Sequence, residues 1–170
     1  LADLMTIRER KARLEGLKMC FIGDGNNMVN SLIVGCLKVG MEVSVACPEG
    51  YDPHPDVLAF AREAGHGFSL VRDPLEAAAG VDVVFTDVWA SMGQEGEAEK
   101  RRAAFEGVYQ VNEKLLGAAN EGCMVQHCLP AHRGEEITAE VLEAHAAEIF
   151  DEAENRLHAQ KAVMVALLKE

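Results

Sequence analysis

Reactive and polar side chains are concentrated in three short loops of this sequence. They are Gly23-Asp-Gly-Asn-Asn27, Asp87-Val-Trp-Ala-Ser-Met-Gly93 and His127-Cys-Leu-Pro-Ala-His-Arg133. Each loop follows an apolar run that is typical of a β-strand. In an open parallel sheet, ligands bind outside the carboxyl ends of the strands, because backbone groups and helix N-termini converge there. The sequence therefore predicts a binding site to which all three loops contribute.

The first loop has the residue types of an anion site. Gly23 and Gly25 permit a tight turn, and Asn26 and Asn27 stand at a helix start, where free N–H groups and the helix dipole favour a carboxylate or phosphate. Two alternatives remain open: the glycines only shape the turn while an asparagine caps the helix, or the loop binds a nicotinamide dinucleotide. The GxGxxG pattern of a dinucleotide site fails at its third glycine, which is Met28 here.

The second loop places an acid and a hydroxyl near each other. Asp87 directly follows an apolar strand and Ser91 follows four residues later, so the two side chains could grip an ammonium group. The alternative is an Asx or Ser turn that satisfies its own backbone.

The third loop combines imidazole, thiol and guanidinium groups. A thiol near cations can lose its proton more easily than a free one, although a buried, inert Cys128 beside a hydrogen-bonded His127 is the usual alternative. Cys123 and His132 add two potential metal ligands, but adjacent His127 and Cys128 do not match common zinc-ligand spacing. We therefore expect no metal.

The segments that must position these loops alternate between strand and helix patterns. This alternation predicts an α/β fold with a doubly wound, mostly parallel sheet of about five strands and helices on both faces. The predicted strands are 18–22, 42–46, 68–71, 81–86 and 124–127. The predicted helices are one at the start of the chain, then 28–39, 56–64, 75–79, 97–106, 112–119, one capped by Thr138, and 153–168, which carries an apolar stripe.

Composition narrows the function classes. A formal charge of -12 disfavours binding to nucleic acid or to an anionic membrane. Hydrophobic residues make up 49% and charged residues 26% of the chain, which is typical of a globular protein. The longest strongly apolar stretch, 162–168, is far shorter than the roughly 20 residues of a membrane-spanning helix. Five scattered cysteines indicate reduced thiols and a cytoplasmic protein.

Together the loops resemble the ornithine carbamoyltransferase family. The motifs GDGNN, DVWASMGQE, HCLPAHRGEE and EAENRLHAQKAVM follow one another in the family's order and spacing. The resemblance covers essentially the whole chain, but only the family's second, ornithine-binding domain. It implies three parts: residues 1–15 as a helix from the interdomain connection, 16–152 as the ornithine-binding α/β domain, and 153–170 as a helix that in the family returns to the first domain. The family's carbamoyl-phosphate loop has no counterpart here, so we expect a piece of a longer protein that is inactive by itself.

The resemblance implies a reaction without metal or redox cofactor. The neutral δ-amine of L-ornithine would attack the carbonyl carbon of carbamoyl phosphate, giving L-citrulline and phosphate. Asn27, with Asn26 close by, would bind the α-carboxylate of ornithine. Asp87 and Ser91, aided by the backbone of Met92, would hold the α-ammonium end.

The carbamoyl side of the site is also implied by the resemblance. Cys128 would lie beside the δ-amine and orient it without a covalent intermediate. His127 would polarise the carbamoyl oxygen, the Leu129 carbonyl would contact the carbamoyl amide, and Arg156 would stabilise charge on carbamoyl phosphate. The alternative for Arg156 is a solvated charge near a helix start. The Leu129–Pro130 peptide bond is predicted to be cis.

Several alternatives remain open. Within the family, the amine could be putrescine or an acylated ornithine; aspartate is disfavoured because the second loop has no cation between Asp87 and Gly96. Outside it, the chain could be a nicotinamide-dinucleotide domain or a non-catalytic ligand-binding module. The resemblance further implies a role in arginine biosynthesis or in the reverse, catabolic direction, and a homotrimer for the full-length enzyme.

Overall fold

A parallel sheet of five strands forms the centre of the molecule. The computed structural model describes residues 1–65, 67–91, 93 and 95–169, apart from the side chain of residue 95. The strands are β1 (Lys18–Ile22), β2 (Glu42–Ala46), β3 (Phe68–Val71), β4 (Val83–Thr86) and β5 (Met124–His127). They lie in the order β3-β2-β1-β4-β5, and every neighbouring pair is parallel. The predicted α/β class and parallel sheet are confirmed.

The predicted strand bounds agree with the structure except at the start of β4. The Val81 N–H donates to the Ala78 carbonyl at 3.4 Å and closes a turn, so residue 81 does not join the ladder. β4 begins at Val83, where it pairs with Met19 of β1 and Met124 of β5.

Helices connect the strands and cover the sheet. They are α1 (Ala2–Lys11), α2 (Asn27–Lys38), α3 (Pro55–Glu63), α4 (Pro74–Ala78), α5 (Ala98–Phe105), α6 (Glu113–Leu116), α7 (Ala139–Ala144) and α8 (Ala146–Leu168), with a 3-10 helix (Glu95–Glu97) before α5. The prediction of a helix over 112–119 is wrong in length. The Ala118 and Ala119 N–H groups donate to Leu115 and Leu116, so the chain tightens into turns after α6.

The last helix begins well before the predicted residue 153. His145 separates α7 from α8, with φ −106° and ψ 12°. Glu148, in the first turn of α8, accepts a hydrogen bond from the Val125 N–H of β5 at 2.6 Å. This bond ties the helix start to the sheet, and the predicted boundary between residues 152 and 153 therefore falls inside one continuous helix.

Both faces of the sheet are buried, as expected for a doubly wound fold. One apolar cluster contains Phe21 and Phe85 and is covered by α1, α2 and α3. The other contains Val84 and Ile149 and is covered by α4 to α8. Because successive strand residues point to opposite faces, neighbouring positions such as Val84 and Phe85 serve different clusters.

The first helix packs within the same unit as the sheet. Ile7 of α1 is fully buried. The Asn155 amide of α8 donates to Thr6 Oγ1 at 3.0 Å and to Glu9 Oε2 at 2.8 Å. α1 and the first half of α8 thus pack directly against each other, and the prediction that residues 1–15 come from an interdomain connection stays a prediction.

The second half of α8 leaves the body of the molecule. The predicted apolar stripe is exposed here, with Leu157 59%, Met164 54%, Leu167 80% and Leu168 80% accessible. No helix in the described part of the chain is long and apolar enough to cross a membrane.

Candidate functional site

The three polar loops meet at one edge of the sheet. The strand order reverses between β1 and β4, because β1 leads outward to β2 on one side while β4 lies on its other side. Such a switch point opens a crevice outside the carboxyl ends of the two strands. The first loop follows β1, the second follows β4, and the third follows β5, the next neighbour. The predicted convergence of the loops is therefore a consequence of the topology.

Asp87 links the three loops. Asp87 is only 6% exposed to solvent. Oδ2 accepts a hydrogen bond from the Asn26 amide of the first loop at 2.7 Å, and Oδ1 accepts one from the Cys128 thiol of the third loop at 3.0 Å. Oδ1 also accepts from the N–H of the next residue, Val88, at 2.8 Å. An Asx turn would instead bond to the N–H two residues on. The carboxylate does more than close its own turn.

Asn26 has two structural tasks and Asn27 has neither. The Asn26 Oδ1 accepts from the Met28 and Val29 N–H groups at 2.9 and 3.3 Å and caps α2, while its Nδ2 holds Asp87. Two of the helix-start N–H groups predicted to bind an anion are thus already bonded. Asn27, by contrast, is exposed at the first position of α2, where its amide can reach a ligand.

The backbone of the loop after β2 passes so close to the first loop that only glycine fits at position 25. The Gly25 N–H donates to the Tyr51 carbonyl at 2.9 Å. A Cβ at position 25 would lie 2.2 Å from the carbonyl carbon of Asp52, closer than any real contact. Gly25 is therefore required by backbone approach, and it needs no dinucleotide to explain it.

The Cys128 thiol is protonated in this site. Burial raises the pKa of Cys128 well above its ordinary value, and the adjacent Asp87 carboxylate raises that pKa further. The expectation that cations in the third loop would ease deprotonation is wrong, because the group that Cys128 contacts is an anion. A neutral thiol that donates to a carboxylate can orient a substrate, and it is a poor nucleophile.

His127 does not face the crevice with a free nitrogen. Its side chain is fully buried. The Leu129 N–H donates to Nδ1 at 2.9 Å, so the ring proton is on Nε2, which donates to Glu136 at 3.0 Å. Direct polarisation of a carbamoyl oxygen by His127 is not possible in this arrangement, because both ring nitrogens are engaged. The geometry instead gives His127 a positioning role beneath the third loop.

The backbone of the third loop departs from ordinary conformations at Leu129. Its φ is +52°, a left-handed value that costs a non-glycine residue roughly 1 kcal/mol or more. The Leu129–Pro130 peptide bond is cis, as predicted. The Glu136 Oε1 that binds His127 also accepts the His132 N–H at 2.6 Å, so one buried carboxylate fixes both ends of the loop.

The remaining predicted residues are less closely assembled. Ser91 is half-buried and lines a cleft of about 600 Å³ together with Asn26, Asn27 and Arg101. Met92 lies outside the described residues. Arg156 is exposed on α8 one turn beyond Glu152, and among the described residues its guanidinium has no hydrogen-bond or ion-pair partner.

Two triads of potential metal ligands occur among the described residues: Asp87, His127 and Cys128, and His132, Glu135 and Glu136. In the first triad both His127 nitrogens and the thiol proton are committed to hydrogen bonds. Cys123, one of the four ligands considered from the sequence, belongs to neither triad.

Four buried charged residues near the site were not predicted, namely Asp24, Arg101, Glu136 and Glu152. Arg101 pairs with Asp24, Glu136 holds the third loop, and Glu152 is 1% exposed beneath it. Burial, reinforced by nearby Asp3, raises the pKa of Glu152 to about 9. Glu152 and Arg101 occur in charge-rich stretches that normally indicate a solvated face, so local sequence carries no signal of their burial.

Comparisons with known proteins agree on one relationship. A family model described as "Aspartate/ornithine carbamoyltransferase, Asp/Orn binding domain" matches residues 15–167. The chain is 55% identical over 172 residues to the ornithine carbamoyltransferase of Gloeobacter violaceus, spanning 99% of this chain and 55% of that protein.

Solved structures give the same result. The anabolic ornithine carbamoyltransferase from Campylobacter jejuni superposes with a TM-score of 0.91 at 41% identity, covering 98% of this chain and 56% of that one. The enzyme from Pyrococcus furiosus superposes with a TM-score of 0.87 at 49% identity, covering 96% and 53%. The chain therefore spans about half the length of the proteins it matches.

Proposed function

The chain belongs to the aspartate/ornithine carbamoyltransferase family, and we propose that it supplies the ornithine-binding half of a transferase that carbamoylates L-ornithine. The observation that carries the proposal is the buried Asp87 carboxylate, held between the Asn26 amide and the Cys128 thiol. Among the described residues, no lysine or arginine bonds to Asp87. A carboxylate whose described hydrogen-bond partners are all neutral favours a cationic amine over the second carboxylate of aspartate.

The amino-acid head would bind across the switch point. Asn27, exposed at the start of α2, offers its amide to the α-carboxylate, and the helix dipole adds to the attraction. Asp87 and Ser91, with the backbone of Met92, would hold the α-ammonium on the opposite side of the crevice. In this arrangement the first loop binds the α-carboxylate and the second loop binds the α-ammonium group.

The reacting end would lie toward the third loop. The neutral δ-nitrogen forms a bond to the carbonyl carbon of carbamoyl phosphate, the bond from that carbon to the phosphate oxygen breaks, and the nitrogen's proton leaves with phosphate or solvent. Cys128, a protonated thiol fixed on Asp87, would orient the amine without forming a covalent intermediate. The Leu129 carbonyl would bind the carbamoyl amide, and Arg156 the charge of carbamoyl phosphate. His127 would act only by holding this loop in place.

Catalysis requires both reactants to be held together. The chain spans about half of its relatives, so we propose that this chain alone binds ornithine and forms no citrulline. We further propose that the complete enzyme is a cytoplasmic homotrimer acting in arginine metabolism, with no metal or cofactor.

Calorimetric titration of the purified chain with L-ornithine, L-norvaline, putrescine and L-aspartate tests the proposal. We expect L-ornithine and L-norvaline to bind and the other two to bind much more weakly, because putrescine lacks the α-carboxylate and aspartate adds a negative charge near Asp87. Asp87→Asn should abolish ornithine binding, whereas Glu113→Gln, on the distant helix α6, should not. Equal affinities for putrescine and ornithine would contradict the assignment of Asp87 and Asn27 to the amino-acid head.

A further inference from the structure

Arg101 is a buried cation whose side-chain hydrogen bonds go to residues outside its own helix, and its Nε lies 3.6 Å from Glu97 Oε2 at the start of that helix. The residue is 8% exposed on α5. Its Nη1 donates to Asp24 Oδ2 at 2.8 Å and to the Trp89 carbonyl at 3.1 Å. The guanidinium carbon Cζ lies over the Tyr51 ring, 5.2 Å from its centre, within the range of a cation–π contact.

These partners belong to three different loops around the crevice. Asp24 lies in the first loop, Trp89 in the second, and Tyr51 in the loop after β2. The Arg101 guanidinium thereby spans the switch point from one substrate loop to the other. Asn27 stands three residues beyond Asp24, and Ser91 stands two beyond Trp89.

We propose that Arg101 is a positioning residue that sets the separation of the first and second loops, and hence the affinity for ligands that carry both an α-carboxylate and an α-ammonium group. This role rests on the proposed function. The two charges of an amino-acid head are a fixed distance apart, so Asn27 on one loop and Asp87 with Ser91 on the other must be held at a matching distance. A ligand that engages only one loop does not depend on that distance.

The chemistry of arginine suits this role. The Arg101 guanidinium donates both hydrogen bonds from Nη1 while its delocalised charge lies over the Tyr51 ring, whereas the ammonium of lysine is a compact, strongly hydrated charge that is less suited to this buried position. Burial raises the pKa of Asp24, and the Arg101 charge opposes that rise. Removing Arg101 and Asp24 from water costs free energy that their attraction need not recover. A buried ion pair of this kind is therefore weak evidence for a role in stability alone.

The experiment compares two classes of ligand on four variants of the chain. Arg101→Lys keeps the charge, Arg101→Met removes it, and Asp24→Asn combined with Arg101→Met leaves neither partner charged, so that a lone buried charge does not unfold the protein. Arg102→Met is the matched control, because Arg102 is the neighbouring arginine and forms an exposed pair with Glu135. L-Norvaline has both head charges and no δ-amine, whereas putrescine has amines only.

We expect the three site variants to bind L-ornithine and L-norvaline about 5- to 100-fold more weakly, the usual range of coupling between sites, with the weak putrescine affinity unchanged. Arg102→Met should bind all ligands as the wild type does. Trp89 is the only tryptophan of the sequence and is 4% exposed. In the ligand-free site variants, acrylamide should quench the fluorescence of Trp89 more strongly than in the wild type, because the second loop is then held less tightly.

Each outcome decides a different point. A wild-type chain that does not bind ornithine overturns the proposed function and this role with it. Normal wild-type binding with unchanged ornithine and norvaline affinities in the folded double variant overturns the role alone. An equal loss of affinity for putrescine also overturns it, because a general distortion of the site would then explain the data.

Discussion

Replacing Asn26 by aspartate separates its two tasks. Aspartate caps helices as well as asparagine does, so Asn26→Asp should preserve the cap on α2. The substitution replaces the Nδ2 donor, 2.7 Å from Asp87 Oδ2, with a second carboxylate oxygen. The variant therefore sets two carboxylates against each other at the centre of the site while leaving the helix start intact.

The cost follows from Coulomb's law. Two unit charges about 4 Å apart repel by ~4 kcal/mol at an effective dielectric constant of ~20. Asn26 is half-buried, so we halve this value to about 2 kcal/mol, which raises the pKa of the introduced carboxyl by about 1.5 units from an unfolded value near 3.9. Because the folded-state pKa is raised, the penalty is absent below about pH 4 and fully present above about pH 6.5.

Urea unfolding followed by Trp89 fluorescence at pH 4.5 and pH 7.5 measures this penalty. With a urea dependence of about 2 kcal/mol per molar, the variant's midpoint should fall by about 1 M relative to the wild type at the higher pH and by about 0.4 M at the lower, because pH 4.5 lies between the unfolded and folded pKa values. Asn112→Asp is the matched control, since Asn112 also caps a helix, through a 3.0 Å bond to the Leu115 N–H. An Asn26→Asp deficit of the same size at both pH values would refute the contact between Asn26 and Asp87.

Three further substitutions test other parts of the site. Gly25→Ala should cost several kcal/mol of stability, because its Cβ would lie 2.2 Å from the Asp52 backbone; a thermal midpoint near that of the wild type would show that the loop after β2 can move away. Glu152→Gln should be more stable than the wild type at pH 8.5 and should lose this advantage towards pH 5. Burial raises the folded-state pKa of Glu152 to about 9, so the wild type loses stability as pH rises from the pKa of the unfolded state towards that value. An equal difference between the urea midpoints of variant and wild type at the two pH values would contradict this. Asp87→Asn should speed alkylation of Cys128 by about tenfold or more, since the Asp87 carboxylate helps to raise the pKa of the thiol; the rate at Cys123, followed by mass spectrometry of the same sample, should stay constant.

The elements of the fold could be predicted because their signals are local. β1, β2, β3 and β5 have the bounds that their apolar runs predict, and Thr138 caps α7 through its bond to the Val141 N–H at 3.3 Å. The start of α8 could not be predicted, because His145 interrupts the helix in a charged stretch without proline or glycine. What fixes that helix start is the long-range bond from Glu148 to β5.

In the candidate site, too, local features could be predicted and long-range contacts could not. The three loops could be identified from residue types at strand ends, but the contact of Asp87 with both Asn26 and Cys128 depends on the order of the strands, which sequence spacing does not contain. The expected roles of Asn27, Ser91, Leu129 and Arg156 stay predictions. His127 shows the limit most clearly: the resemblance implies a side chain that polarises the substrate, whereas the structure buries the ring and bonds it to the buried Glu136.

The second half of α8 is largely exposed, so its helical order depends on whether another surface covers it. None of the described residues of α8 after Asn155 is buried, and isolated helical segments shorter than about 12–15 residues are marginal in water. Amide hydrogens should thus exchange with solvent progressively faster from Ile149 towards Leu168. A surface that covered Leu157 and Met164 would slow that exchange. Arg156 lies on the first unsupported turn, so the placement of its guanidinium is thermodynamically linked to the covering of the apolar stripe.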